Sequence, residues 1–188
     1  MATVTVRNGI DVDQLVATIG AIKEQPSIST FTFKATTAWK DGTLNQAEIG
    51  DFIHNGERVE RPEPFHLTGD EPPVLLGSNG GPNAVELLLA ALGFCYGVGY
   101  VANAAARGID ISELRYEVTG DIDVQNFLGM TKDTRPGFSA IRARAWVRSP
   151  NATPDQLDEL CQYVQDTSPV RDVLANPVPV ETSLEVLS

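Results

Sequence analysis

Two cysteines are the residues of this chain best suited to chemistry. Cys95 lies in a run without charged side chains between positions 87 and 102, and Cys161 lies in an amphipathic segment. The cysteines do not form a Cys-x-x-Cys pair, and His54 and His66 lie far from them at no metal-ligand spacing. We therefore expect no metal and no cofactor. The chemistry that remains is that of a thiol, centred on one cysteine.

Composition and charge limit the partners. The 188 residues suit one domain with a sizeable core, and 42% of them are hydrophobic, an ordinary value for a globular protein. The formal net charge of −11 disfavours nucleic acid and anionic membranes, because both repel a chain of this sign. The first seven residues lack the apolar core of a signal peptide, and the uncharged run is short and glycine-rich for a membrane span. We expect a cytoplasmic protein, with neither nucleic acid nor membrane as a partner.

The order of elements predicts an α+β fold with an antiparallel sheet. Residues 1–188 are expected to form a single domain, in which 1–28 is a strand and helix extension whose helix begins at Asp11. The pattern predicts strands over 31–37, 44–52, 65–67, 114–124, 138–147 and 180–187, a turn over 39–42, a long apolar helix over 83–106, and shorter helices that begin at Thr153 and Ser168.

Three glycines near the middle of the long helix need a physical reason. Each of Gly93, Gly97 and Gly99 costs about 0.5–1 kcal/mol relative to alanine in a helix interior. Close approach of another backbone is the usual compensation, and it predicts a packed interface between two such helices. The small side chains flank Cys95 and would leave space beside its sulfur.

Two motifs resemble one family. The run GGPNAVELLLAALGFC, which ends at Cys95, is similar to the central-helix motif of the OsmC/Ohr family of thiol peroxidases. The run SPVRDVLANPVPV, which begins at Ser168, is similar to that family's second motif, and the resemblance extends from about Phe31 to the C-terminus. It implies an OsmC-like fold: an intertwined homodimer with the sheets outside and the long central helices buried together at the interface.

The resemblance also implies an activity and shows a departure from it. It implies that Cys95 is a peroxidatic cysteine, which attacks a hydroperoxide and becomes a sulfenic acid. In the family a second cysteine begins the second motif and condenses with that sulfenic acid, but here the position holds Ser168. A serine cannot form that disulfide. An external thiol reductant would then have to complete the cycle, or turnover would be poor. Cys161, on an apolar helical stripe, is expected to be a buried structural residue.

A peroxidatic thiol must be ionised, so a cation is expected near Cys95. The helix dipole acts chiefly over the first turn, and apolar surroundings disfavour a thiolate. The family supplies an arginine from an early strand and turn. The matching position here is Lys40, and Arg171 in the second motif is another candidate. Glu86 matches a family carboxylate, but nine helical residues place it about 13 Å from Cys95. The alternative for Glu86 is an acid that stabilises the first helical turn.

Two functions follow as hypotheses. The first is a thiol-dependent peroxidase that reduces small organic hydroperoxides through Cys95, without a resolving cysteine in the family position. The second is a catalytically weak OsmC-like dimer that binds a small apolar ligand or acts in a stress response. Rapid oxidation of Cys95 by peroxide favours the first, and a slow thiol beside an occupied apolar pocket favours the second.

Overall fold

The computed structural model describes residues 4–187. Its strands and α-helices follow one another in the order β1 Val6–Arg7, β2 Ile10–Asp11, α1 Val12–Glu24, β3 Phe31–Thr32, β4 Thr36–Asp41, β5 Leu44–Ile49, β6 Phe52–His54, β7 Glu57–Val59, β8 Phe65–Gly69, α2 Ala84–Ala106, β9 Glu113–Asp121, β10 Ala140–Arg148, α3 Pro154–Thr167 and α4 Pro169–Ala175, with short 3-10 helices at Pro26–Ser29 and Pro73–Leu75. All strand pairs are antiparallel, so the α+β class with antiparallel sheets predicted from the sequence is confirmed.

The chain divides after Ala90 into two compact units. The first unit contains the β1–β2 hairpin, α1 and two three-stranded sheets with the strand orders β3-β6-β7 and β4-β5-β8. Helix α1 begins where the capping pattern predicts, because the Asp11 side chain accepts a hydrogen bond of 2.8 Å from the backbone N–H of Gln14. The helix ends at Glu24, before the Gln25-Pro26 pair.

The strands of the first unit differ from the prediction at three places. The predicted strand over 44–52 ends at Ile49 as β5, and Phe52 begins β6 in the other sheet. The predicted strand over 31–37 is interrupted, because β3 and β4 join different sheets. The predicted turn over 39–42 is wrong by two residues: Trp39, Lys40 and Asp41 continue β4, and Gly42 and Thr43 form the turn. A register shift follows Trp39, whose indole N–H donates to the carbonyl oxygen of Gly42 at 2.9 Å. This irregularity lengthens the hairpin, and sequence spacing did not reveal it.

The core of the second unit lies between α2, α3 and the β9–β10 hairpin. Leu92, Tyr96, Tyr100 and Ala104 recur every four residues on α2 and are buried against Leu160 and Val164 of α3. The hairpin adds the partly buried side chains Leu114, Tyr116, Val118, Ile141 and Val147. The Tyr100 hydroxyl donates to the carbonyl oxygen of Leu157 at 2.8 Å, so this buried polar group is satisfied. Burial raises the pKa of Tyr100 to about 12.

Helix α2 has the predicted extent, and within the described chain it is buried on one face only. Gly108, with φ of +75°, ends it in the left-handed conformation, and the N–H of Ile109 bonds back to the Ala104 carbonyl oxygen. On the opposite face Phe94 is 75% exposed and Val98 is 73% exposed. By length and composition alone α2 could cross a membrane. Burial of its second face, which the predicted dimer requires, stays a prediction.

The predicted strand over 180–187 is wrong for the described chain. Residues 177–187 form no strand, and the apolar members of the alternating pattern, Val180, Leu184 and Val186, are each more than 80% exposed. Alternation describes the side chains that a strand would present to a core, but a strand also needs a neighbouring edge with which to form hydrogen bonds. Within this chain the segment pairs with none of the described strands.

Candidate functional site

Cys95 lies at the border between the two faces of α2. It is half-buried, between the exposed Phe94 and the buried Tyr96. Its Sγ atom lies 3.1 Å from Oγ of Ser168, within hydrogen-bonding distance of a residue 73 positions later in the chain. The structure therefore brings the two predicted motifs together at one pair of atoms.

The junction between α3 and α4 holds Ser168 in place. Ser168 adopts an extended conformation with φ of −74°, Pro169 opens α4, and the Ser168 hydroxyl oxygen accepts a hydrogen bond of 3.2 Å from the backbone N–H of Arg171. This side chain caps the helix and touches the sulfur at the same time. Only 6% of Ser168 is exposed, so water has little access to its hydroxyl.

Arg171 places a cation near this junction. One guanidinium nitrogen donates to the carbonyl oxygen of Gln165 at 3.4 Å. The pKa of Tyr96 is raised by burial, and the nearby positive charge of Arg171 opposes that increase. The guanidinium thus acts electrostatically on the residue next to Cys95. Its side chain is exposed, which leaves it free to change its rotamer.

Cys161 lies on the inward side of α3 and is partly buried against the core. Its Sγ atom is 3.6 Å from Nε2 of Gln165, and both cysteines are free thiols. Both sulfurs act electrostatically on the pKa of Tyr96. The Ser168 hydroxyl, by contrast, contacts the sulfur of Cys95. The contact of Cys161 with the core agrees with its predicted role as a small apolar residue.

Glu86 forms a capping box at the beginning of α2. Its carboxylate accepts from the backbone N–H of Asn83 at 2.9 Å, and the Asn83 side chain accepts from the backbone N–H of Glu86 at 2.9 Å. This is the alternative that the sequence left open, an acid that stabilises the first turn. Lys40 is an exposed residue of β4. Both residues belong to the first unit, and their assignment to the thiol stays a prediction.

Asp70 organises the long connection that leads into α2, and sequence reasoning missed it. Only 3% of Asp70 is exposed, and its carboxylate accepts five hydrogen bonds, from the hydroxyls of Thr43 and Ser78 and from the backbone N–H groups of Glu71, Ser78 and Gly80. The Thr43 hydroxyl and then the Gly80 N–H hold the pKa of Asp70 well below its usual range. No motif in the sequence signals this role.

The same connection needs glycine at two positions. A Cβ atom at Gly77 would lie 1.7 Å from the carbonyl oxygen of Glu71, and one at Gly81 would lie 2.3 Å from that of Thr68. Nearby, the first unit has an open cavity of about 260 Å³. Its lining combines apolar residues such as Leu67 and Leu87 with polar ones such as Gln46, Asp70 and Glu71. Among residues 4–187 no three His, Cys, Asp or Glu side chains group to hold a metal.

Comparison with known proteins identifies the family. The family model of the OsmC-like proteins matches residues 77–183, more than half of the chain. A sequence search of the curated proteins finds no match. The fold is similar to that of an OsmC-like protein from Mycoplasma pneumoniae, with a TM-score of 0.60 and 20% identity over 78% of this chain and 89% of that one. It is also similar to an OsmC-like protein of unknown function from Vibrio cholerae, with a TM-score of 0.53 and 13% identity over 74% of this chain and 91% of that one.

The chain belongs to the OsmC-like family. The matched region contains Cys95, Ser168 and Arg171. The structural similarities, at identities of 20% and below, establish the fold and not the reaction.

Proposed function

We propose that this protein is a thiol-dependent peroxidase that reduces organic hydroperoxides through Cys95 and depends on an external thiol for its reduction. The observation that carries the proposal is the contact of 3.1 Å between Sγ of Cys95 and Oγ of Ser168. This contact joins the thiol of the first family motif to the first residue of the second motif. Half-burial of Cys95 leaves part of the residue accessible.

The proposed cycle begins with the Cys95 thiolate. The sulfur attacks the distal oxygen of R–O–OH, an S–O bond forms, the O–O bond breaks, and the alkoxide takes up a proton to leave as the alcohol. Sulfur is thereby oxidised by two electrons to the sulfenic acid. One external thiol then displaces the oxygen as water and forms a mixed disulfide with Cys95. A second thiol, or the second sulfur of a dithiol, releases the Cys95 thiol and leaves as the oxidised reductant.

A neighbouring cation is needed to favour the thiolate, and Arg171 is the better supported candidate. Arg171 lies three residues after Ser168, and its backbone N–H donates to the Ser168 hydroxyl oxygen. The positive charge of Arg171 also acts to lower the pKa of Tyr96, the neighbour of Cys95. Lys40 remains the candidate that the resemblance implies. The Glu86 carboxylate is engaged in its capping box. We therefore assign Glu86 the role of stabilising the beginning of α2 in preference to a role at the thiol.

We further propose that the active form is a cytoplasmic homodimer. The exposed face of α2 presents Phe94 and Val98, and a Cβ atom at Gly97 would lie within 4 Å of no described atom beyond its neighbours and the local helix backbone. An apolar surface with a small-residue notch suits the close approach of a second helix. The packing of two α2 helices would bury the second face of each, as the family resemblance implies.

One observation favours the second function, a weak peroxidase that binds a small apolar ligand. The cavity of about 260 Å³ in the first unit is lined mainly by apolar surface. Under this hypothesis Ser168 marks the loss of the catalytic cycle, and Cys95 reacts slowly with peroxide.

Steady-state reduction of cumene hydroperoxide tests the proposal. With dithiothreitol or dihydrolipoamide present, the wild-type protein and Cys161→Ser are expected to consume the peroxide at similar rates, while Cys95→Ser is inactive. If all three leave the peroxide untouched, the peroxidase proposal is wrong. Binding of a small apolar ligand to the same preparation, measured by calorimetry, would then favour the second function.

A further inference from the structure

The hydroxyl of Ser168 has two described partners and one proton. Its oxygen accepts from the backbone N–H of Arg171, which has no capacity to accept in return. The other partner is Sγ of Cys95 at 3.1 Å. Of these two partners only the sulfur can accept the hydroxyl proton. The cap thus fixes the oxygen in place and leaves its O–H available to point at the sulfur.

This arrangement distinguishes the two states of the sulfur. When Cys95 is a thiol, either the S–H or the O–H can be the donor across the contact. When it is a thiolate, Ser168 alone can donate, and the bond gains strength because its acceptor is charged. Since only 6% of Ser168 is exposed, water competes little for this hydrogen bond. The contact therefore places the Ser168 hydroxyl where it can donate to a charged sulfur.

We propose that Ser168 is a positioning residue whose hydroxyl donates to the Cys95 thiolate, stabilises it and aims it for attack. This inference rests on the proposed function and deepens it. In the position where the family motif has its second cysteine, this chain has a group that assists the first step of the cycle instead of the second. Ser168 supplies no electrons, so the S–S bond of the second step forms with the external thiol.

Alkylation of Cys95 by iodoacetamide at pH 7 measures the effect without any peroxide. All variants are made in a Cys161→Ser background, so that mass spectrometry follows Cys95 alone. Ser168→Ala removes the donor and the cap, Ser168→Thr keeps both, and Ser168→Asp keeps the cap without a donor. Thr153→Ala is the matched control, because Thr153 caps α3 in the same way about 22 Å along the chain from Ser168.

The expected rate constants separate a hydroxyl effect from a capping effect. Ser168→Ala is expected to slow alkylation about threefold to tenfold, since the fall in thiolate fraction is partly offset by the greater nucleophilicity of the remaining thiolate. Ser168→Thr should restore the rate to within about twofold, and Ser168→Asp should be at least as slow as Ser168→Ala. Thr153→Ala should match the wild type.

Three results would overturn the inference: wild-type alkylation in Ser168→Ala and Ser168→Asp, failure of Ser168→Thr to restore the rate, or equal slowing in Thr153→Ala. The comparison of Ser168→Thr with Ser168→Asp remains decisive if Ser168→Ala does not fold. A parallel reaction with cumene hydroperoxide separates the two proposals. If alkylation follows the hydroxyl but the wild-type thiol ignores peroxide, the proposed function fails while the role of Ser168 stands. If peroxide oxidises Cys95 in every variant at the wild-type rate, the proposed function stands and the role of Ser168 fails.

Discussion

Replacement of Ser168 by cysteine is expected to convert the site into a disulfide-forming pair. The present contact between Sγ of Cys95 and Oγ of Ser168 is 3.1 Å, and a disulfide requires about 2.05 Å, so the two side chains must approach by roughly 1 Å. We expect small rotamer changes at both residues to supply that movement. In Ser168→Cys, peroxide should therefore oxidise Cys95 to a sulfenic acid that condenses with the introduced thiol in the same chain.

The magnitude of the stabilisation follows from the length of the loop. The two positions are 73 residues apart, for which the chain-entropy model gives about 4 kcal/mol at 25 °C. For a domain of this size that corresponds to an increase of roughly 8–16 °C in the unfolding temperature, before any strain is subtracted. The oxidised and reduced forms of Ser168→Cys both lack the serine cap. The difference between their unfolding temperatures therefore reports the disulfide alone.

Intact-mass spectrometry and thermal unfolding check this prediction. One equivalent of cumene hydroperoxide should remove two hydrogen atoms from Ser168→Cys, and dithiothreitol should reverse both the mass change and the stabilisation. Thr153→Cys is the control, because it places a new cysteine at another helix cap about one helix length away. If Ser168→Cys instead gains oxygen atoms and forms no intrachain disulfide, even with a thiol oxidant such as diamide, the described geometry of the two motifs is wrong.

Three further predictions concern the fold and the interface. Gly81→Ala should destabilise the protein by about 1–3 kcal/mol, because its Cβ would lie 2.3 Å from the Thr68 carbonyl oxygen. The control Gly20→Ala in α1 should be neutral or stabilising. Equal urea midpoints for the two variants would refute this prediction. The depressed pKa of Asp70 contributes stability above about pH 4 that is lost as the pH falls further, so Asp70→Asn should unfold more easily at pH 7 and lose less stability between pH 7 and pH 3. An unchanged acid profile in calorimetry would contradict that role. Phe94→Glu should give monomers in light scattering, while Phe127→Glu, equally exposed at 75%, should stay dimeric; two monomers or two dimers would argue against an α2 interface.

The features that depend on local chemistry could be predicted from the sequence. The caps at Asp11 and Thr153 and the glycine end of α2 at Gly108 each need only residues within one turn of the helix. Cys95 and Ser168 could be related because two motifs in the right order resembled one family. Their contact itself is a tertiary fact that no spacing in the sequence contains.

The features that depend on distant neighbours were missed or misplaced. The β4–β5 turn lies two residues late because a register shift and the Trp39 indole bond reshape the end of the hairpin. Asp70 was missed because its donors come from both sides of it in sequence, from Thr43 to Gly80. The pattern over 180–187 has the alternation of a strand but lacks a described edge with which to pair. Alternation constrains the faces of a strand and leaves its partner undetermined.

The most direct measurement for the proposed function is a single turnover of Cys95 in the Cys161→Ser background. The reduced protein is mixed with one equivalent of cumene hydroperoxide, quenched with dimedone at successive times and analysed by mass spectrometry. The proposed function predicts that a dimedone adduct forms on Cys95, and that it forms much faster than the same hydroperoxide oxidises free cysteine. An external dithiol should prevent the adduct. A Cys95 thiol that remains unmodified, or that oxidises no faster than free cysteine, would contradict it.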